Sequence, residues 1–243
     1  MKKLNAILVG LCLLLVSFVS VASAIEVSGD AYAGIYDKYL WRGYDLSGSM
    51  PVAQGGLDIS AGSFTFSYWT NVQLANDSAE GYNSGEETET DIIIDYSRDI
   101  NDLLSISVGN IFYGLDGIED TNELYLTLSL NTILSPSLSV YWDWDEADED
   151  GLYYTFSVGH DISITDALSL SLGALVSYNQ SCDYSVGDYD DFHNYELSVG
   201  VDYAITEQIS VGASFLFSEG LSNDGRDSID SEMVSGVSVA LNF

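Results

Sequence analysis

From residue 26 to the C-terminus, apolar and polar positions alternate with a period of two. Leu168, Leu170, Leu172, Ala174 and Val176 interleave with Ser169, Ser171, Gly173, Leu175 and Ser177. Leu124, Leu126, Leu128 and Leu130 interleave with Tyr125, Thr127 and Ser129, and Leu197, Val199, Val201 and Tyr203 with Ser198, Gly200 and Asp202. Side chains of a strand point alternately to opposite faces, so each segment reads as a strand with one apolar and one small or polar face. An amphipathic helix would instead repeat its apolar positions three and four residues apart.

The pattern predicts twelve strands, at 26–37, 51–60, 63–73, 88–97, 103–112, 121–131, 138–145, 152–161, 168–178, 193–204, 208–217 and 232–243. Each is close to the roughly 9–11 residues that a tilted strand needs to cross hydrocarbon. The connections alternate between short ones, such as Ala61-Gly62 and Ile205 to Glu207, and long ones, such as Lys38 to Met50, Leu74 to Glu87, Asn179 to Phe192 and Ser218 to Ser231. Short turns on one side, long loops on the other and an even strand count predict an all-β fold, a transmembrane up-and-down antiparallel β-barrel. Phe64, Tyr96, Tyr203 and Phe243 fall near the short-turn ends, and Trp69, Phe112, Trp142, Trp144, Tyr154, Tyr178 and Phe217 nearer the long-loop ends. Amphipathic rings favour the headgroup level, so these sets are expected to form two girdles. The last strand carries Val237, Val239, Leu241 and Phe243 on one face, a pattern like the terminal assembly signal of outer-membrane proteins.

The leader adds a compartment. Lys2 and Lys3 precede an apolar run from Ala6 to Val21, and Ala22-Ser23-Ala24 is a small-residue cleavage box. Residues 1–24 therefore read as a signal peptide and residues 25–243 as the barrel. Beyond the leader no apolar run approaches the roughly 20 residues of a spanning helix. The expected location is the bacterial outer membrane, with outer-membrane lipid and the barrel-assembly machinery as partners.

Charge sharpens the picture. The chain holds 38 acidic and 6 basic residues, and 47% of it is hydrophobic. A sequence both apolar and acidic must segregate the two characters, which a barrel does by facing apolar bands to lipid. The acidity excludes nucleic acid, which binds basic surfaces. Cys182 alone remains after the leader, so no intramolecular disulfide supports the fold.

Candidate chemistry lies on the face opposite the apolar band. Ser105, Ser107, Gly109, Ser169, Ser171, Gly173, Ser198, Gly200, Ser210, Gly212 and Ser214 make small stripes. A barrel packed solid needs bulky inward residues. The stripes thus leave room for water or for an infolded loop. Asp30, Asp58, Asp95, Asp143, Asp145, Asp161, Glu196 and Asp202 fall on or near the same parity, against only Lys38, Arg42, Arg98 and Arg226 after the leader. Unpaired carboxylates around a lumen favour cations, and Asp143 with Asp145 are expected to matter more for selectivity than Glu86 and Glu87. Arg42 either reaches across the lumen as a selectivity residue or pairs with a wall aspartate.

The long loops are acidic too, with Glu80, Glu86, Glu87 and Glu89 in one and Asp116, Glu119 and Asp120 in another. Such oxygen-rich segments suit divalent cations. Glu146-Ala-Asp148-Glu-Asp150-Gly151 superficially resembles a calcium loop, making Glu146, Asp148 and Asp150 weak metal candidates, but Ser157 stands where the bidentate glutamate belongs. No cofactor is implied. His160 and His193 are the two histidines, and His160 and Ser163 sit an odd offset apart, on opposite strand faces. Nothing marks a catalytic serine, so no enzyme is expected.

The segment from Tyr36 to Gly43, which contains Trp41-Arg42-Gly43, is followed by Gln54-Gly55-Gly56-Leu57-Asp58 and by Tyr68-Trp69-Thr70-Asn71-Val72. These elements resemble the TorF family of porin-like outer-membrane proteins, whose members show a similar aromatic-x-Arg-Gly element, a Gln-Gly-Gly/Phe-Asp strand and an Asn-Val strand end. The motif match is confined to the first fifty residues after the leader, while the strand layout extends over the rest. The resemblance implies an outer-membrane barrel with a pore role and supplies no catalytic residues.

The expected function is passive diffusion of small hydrophilic solutes, with a preference for cations. The alternative is a non-conducting barrel whose acidic loops bind cations or a partner. N-terminal sequencing of the membrane-extracted protein should begin at Ile25, and an intact Met1 would overturn both the leader and the export it implies.

Overall fold

The computed structural model describes residues 26–76, 81–147 and 151–243, so the leader and its cleavage box lie outside the described residues. In chain order the elements are β1 (Val27–Tyr36), β2 (Leu40–Trp41), β3 (Tyr44–Asp45), β4 (Val52–Ala61), β5 (Phe64–Gln73), β6 (Glu87–Asp99), β7 (Leu104–Leu115) and β8 (Thr121–Leu130). They continue as β9 (Ser137–Asp143), β10 (Leu152–Ser163), β11 (Leu168–Gln180), β12 (Asp190–Ala204), β13 (Ile209–Gly220), the short helix α1 (Asn223–Ser228) and β14 (Glu232–Asn242). β1 and β4 to β14 form one closed antiparallel barrel in chain order, and β14 returns to pair with β1. This is the twelve-stranded up-and-down barrel that the alternation predicts.

Strand parity follows the hydrophobic pattern. Leu124, Leu126, Leu128, Leu197, Val199, Val237 and Val239 are exposed on the outer face. Among the described residues forty large hydrophobic side chains are exposed, most of them on this face, which in water would be untenable and in lipid is the expected outer band. Several strands run beyond their predicted ends on the long-loop side: β7 to Leu115, β11 to Gln180 and β13 to Gly220, while β12 starts at Asp190. There the outer face leaves hydrocarbon and no longer needs apolar residues, yet the backbone ladder continues. The alternation fades before the strand does.

One aromatic departs from the expected girdle. Trp69 faces Asp91 across the β5–β6 ladder and packs its ring 5.3 Å from that of Tyr39, inside the barrel. Its place one residue after outward Tyr68 sets this parity. Of the other girdle residues Phe64, Tyr96, Trp142, Trp144, Tyr203 and Phe243 are exposed, and Phe112, Tyr154, Tyr178 and Phe217 are half-buried.

The buried core is likewise not where a soluble barrel would have it. Tyr39, Tyr113, Tyr153, Cys182, Val186, Ile229 and Val234 are buried at the long-loop end, with buried polar residues Asn71, Gln73, Glu123, Asn179 and Ser218 among them. At the other end the inward side chains are open: Asn194 on β12 is buried while Asp202, farther down, is exposed.

The Phe243 backbone extends the closing ladder. Gly29 N–H donates to Phe243 O and Phe243 N–H to Gly29 O, both at 2.9 Å. A Cβ on Gly29 would meet the Phe243 ring at 2.9 Å, so the ring lies over the glycine at the seam. Deleting Phe243 removes that pair of bonds from an edge that hydrocarbon leaves no other way to satisfy. The folded, heat-modifiable fraction in membranes should drop severalfold, and an unchanged fraction would show the seam closes without it.

Candidate functional site: the barrel mouth

Residues from Lys38 to Met50 turn into the barrel mouth instead of standing clear of it. They form the β2–β3 hairpin, with Trp41 paired to Tyr44 across a two-residue turn, Arg42-Gly43. Both turn residues have positive φ, 50° and 86°, the turn that Asn-Gly usually supplies. Gly43 adopts it freely, and a Cβ there would strike Ile229 Cδ1 at 2.4 Å. For Arg42 the left-handed conformation costs about 1–2 kcal/mol, which its side-chain contacts must offset.

Those contacts reach across the whole mouth. Lys38 Nζ lies 2.5 Å from Glu232 Oε2 on β14, Tyr39 O–H donates to Glu89 Oε2 on β6 at 2.9 Å, and the Trp41 ring meets Tyr113 of β7 edge-on at 5.8 Å. Arg42 Nη2 donates to Glu123 Oε2 on β8 at 2.7 Å, and Nη1 to Ser185 Oγ at 2.8 Å. Its guanidinium lies 4.3 Å from the Trp41 ring centre, 5.3 Å from that of Tyr141 on β9 and 4.2 Å from that of Tyr153 on β10. Planar, weakly hydrated arginine suits such a stacked, desolvated position where lysine would not.

The hairpin backbone is held as well. His193 Nε2 lies 2.6 Å from Arg42 O, and Tyr189 O–H contacts His193 Nδ1. A carbonyl only accepts, so Nε2 carries the proton and Nδ1 accepts from the tyrosine. Both His193 and Asn194 are buried because the β11–β12 ladder shifts register between Val176 and Tyr178, leaving the two opposite Ser177. Such a bulge re-aims side chains. Tyr44 O–H donates to Val186 O, which ties the hairpin to the infolded β11–β12 connection.

The Arg42–Glu123 pair is nearly free of solvent, with side-chain exposures of 7% and 1%. Burial alone would lower the arginine pKa, but Glu123 outweighs it and holds the charge firmly. At the hairpin base, Asp45 accepts from the backbone N–H and hydroxyl of both Ser47 and Ser49, at 2.6–2.9 Å. Burial pushes Asp45 up, yet these four bonds more than reverse that and leave it below its ordinary 3.8. Its contribution is therefore present above pH about 4 and is lost only as pH falls through the lower folded value.

The sequence-selected residues separate into groups. Asp30 and Asp58 face each other directly across the β1–β4 ladder, on the inward parity, with no basic partner among the described residues. Asp95 is inward and accepts from Tyr125 O–H at 2.5 Å and from the Ser107 hydroxyl. Glu196 accepts from Asn194 Nδ2 at 3.0 Å, and Asp202 is inward and exposed. Arg42 pairs with a wall acid, which is the glutamate Glu123 and not an aspartate.

Asp143 and Asp145 are not open lumen carboxylates. Asp143 is 1% exposed and fully engaged, accepting from Thr121 Oγ1 at 2.8 and 2.9 Å and from the backbone N–H of Asp145 and Glu146. Asp145 lies past the end of β9, exposed, accepting from Asn122 Nδ2 on the outward parity. β9 stops at Asp143, so the alternation that placed Asp145 inward no longer applies. Neither is a free lumen charge. Glu146 is exposed at the same rim, while Asp148 and Asp150 lie outside the described residues. Among the described residues no three His, Cys, Asp or Glu side chains converge on a metal position.

Three carboxylates of the mouth are not singled out by the sequence pattern. Glu89, which reads as a loop acid, is the third residue of β6, faces inward and is 5% exposed. Asp91 follows on the same face, and Glu123 is 0% exposed. Counting back by two from Tyr125 reaches Glu123, so its parity is available to the alternation rule. Its partner, 81 residues away in sequence, is not. Of the histidines, His160 has Nδ1 2.8 Å from Ile133 O at the short-turn end. Among the described residues neither histidine bonds to a serine hydroxyl.

Arg42→Met should release the hairpin, because it strands the Glu123 carboxylate in a buried site at a cost of about 3–5 kcal/mol. Limited proteolysis of the folded barrel should then cut within 38–50, and Arg42→Met with Glu123→Leu should restore much of the protection. Equal protection in Arg42→Met and the native chain would show that the ion pair does not hold the hairpin.

No family model and no curated protein sequence matches this chain. Solved structures do. A NanC porin superposes with a TM-score of 0.56 at 14% identity, covering 88% of this chain and 100% of that one. A COG4313 outer membrane channel from Pseudomonas putida F1 gives 0.52 at 11% identity, over 93% and 100%. An outer membrane phospholipase A from Escherichia coli gives 0.50 at 16%, over 89% and 92%. The shared property is the fold, which channels and an enzyme both use, and the TorF resemblance rests on the sequence elements alone. The chain has the fold of the bacterial outer-membrane β-barrels.

Proposed function

We propose that this protein is an outer-membrane channel for small hydrophilic solutes, selective for cations, with passage set by the β2–β3 hairpin in its mouth. The observation that carries the reading is the imbalance of paired and unpaired charge inside the barrel. Lys38 and Arg42 are both engaged in ion pairs, whereas Asp30, Asp58 and Asp202 have no basic partner within 4 Å among the described residues. Like charges directly opposite on a ladder repel, and water or a passing cation relieves the Asp30–Asp58 contact. A lumen with low-dielectric walls focuses such a field, concentrating cations and excluding anions. Small inward residues along β7, β11, β12 and β13 leave space for the hydrated path below the hairpin.

A second reading has one observation in its favour. The hairpin spans the mouth from Glu232 to Glu123, as a non-conducting barrel would require. Such a barrel would use its acidic outer loops to bind divalent cations or a partner.

Planar-bilayer recordings separate the two. Under a salt gradient the native protein should show a reversal potential of cationic sign. Asp30→Asn with Asp58→Asn should lower the cation-to-anion ratio more than Glu86→Gln with Glu87→Gln. The effect should shrink as salt rises, since the screening length falls from about 10 Å at 0.1 M to about 3 Å at 1 M. Anion preference would overturn the electrostatics. Silence from both the native chain and a variant with residues 40–45 replaced by glycine and serine would establish the non-conducting barrel.

A further inference from the structure

On the long-loop side of the hairpin lies a cavity of about 300 Å³, at the lower end of the range typical of small-molecule sites. Its walls are largely carbon. Trp41 and Tyr44 of the hairpin, Tyr113 and Ile118 of the β7–β8 segment, and Tyr184 of the β11–β12 connection bound it. Three carboxylates, Glu89, Glu123 and Asp183, also line it, and no lysine or arginine does. Arg42 lines a different cavity, which shares Trp41 and Tyr113 with this one.

One atom points to an occupant. Glu123 is 0% exposed; its Oε2 accepts from Arg42 and from Tyr113 O–H at 2.9 Å, while Oε1 has no hydrogen-bond partner among the described residues. Buried carboxylate oxygens without donors are rare in folded proteins, because desolvation is then uncompensated. Glu123 is among the residues that line the cavity, and the cavity is large enough for a ligand that brings a donor.

We propose that the cavity binds a small organic cation, a primary ammonium carried on an aromatic or branched apolar body. The ammonium donates to Glu123 Oε1, while Glu89 and Asp183 leave the site net negative after the Arg42 charge is counted. The faces of Trp41, Tyr44, Tyr113 and Tyr184 supply apolar contact for the body and favourable ring quadrupoles for the charge. Ca²⁺ is a poor match, since hard cations take six or more oxygens and these walls offer mostly carbon. The site requires only the folded mouth, so it stands whether or not the lumen conducts.

Isothermal titration of the refolded full barrel in detergent, with three probes, tests the assignment. 2-Phenylethylammonium should bind saturably; 3-phenylpropionate, with a similar body and opposite charge, and methylammonium, with the charge and almost no body, should not. Combining Glu89→Gln with Asp183→Asn should weaken 2-phenylethylammonium by about tenfold or more, the loss expected for charge-assisted contacts. Ile118→Ala should weaken it less, and Glu207→Gln in a short turn at the other end should leave it unchanged. Binding of the anion as tight as that of the cation, an unaltered affinity in the double variant, or no saturable binding of 2-phenylethylammonium would each overturn the proposal. If Glu89→Gln does not refold, Asp183→Asn together with the opposite-charge probe pair on the native chain decides the assignment in its place.

Discussion

A backbone passing through hydrocarbon has no water to turn to, and each unpaired N–H or C=O there costs several kcal/mol. A sheet survives in that solvent only by leaving no edge. In this chain the condition is met at a single seam, where β14 pairs with β1 over seven residue pairs and the Phe243 backbone completes the ladder against Gly29. Everything else follows from closure. Once the sheet is a ring, every strand has an outside and an inside, and the alternation of residues decides which solvent each side chain meets. The outer face becomes the apolar band, and the inside receives the serines, glycines and acids.

Closure also creates a difficulty at the mouth, where the ring holds more space than its own inward side chains fill. The chain answers it with the segment from Lys38 to Met50. Burying an arginine is costly, and so is twisting it into a left-handed turn. Both are tolerated because Glu123, Ser185 and the rings of Trp41, Tyr141 and Tyr153 surround its guanidinium at contact distance. A buried pair of this kind contributes geometry more than net stability. Its effect here is to place the hairpin tip against β12, β13 and the end of α1, where Gly43 packs on Asn194, Ser218 and Ile229 and His193 fixes the carbonyl of Arg42.

The lumen is consequently two environments in series. At the long-loop end Glu89, Glu123 and Asp143 are buried and held by tyrosines, Arg42, Thr121 or backbone N–H groups, while Asp91 Oδ1 and Glu123 Oε1 lack a donor among the described residues. At the short-turn end Asp202 stands open, and Asp30 and Asp58 face one another with no basic partner among the described residues. The same residue type thus holds the structure together in one half and leaves an unneutralised field in the other. The difference is set by depth along the strand.

A large part of this was legible in the sequence. Period-two alternation, strand length and the sorting of short and long connections determined the strand count, the parity of Asp30, Asp58, Asp95, Glu196 and Asp202, and the small-residue stripes. These are local properties, because the side of the sheet on which a residue lies depends only on its neighbours along the strand. Even Glu123 was within reach of that rule. The hairpin was not: Arg42-Gly43 lacks the Asn-Gly signature of its turn, and its partners are contributed by strands up to 194 residues away, as with Lys38 and Glu232. Nor was the fate of Asp143 and Asp145, which turns on where β9 ends. Which charges are paired, which loop folds inward and which carboxylate oxygen is left without a donor depend on the three-dimensional ring. Only closing it brings β6, β8, β10 and β12 around one small space.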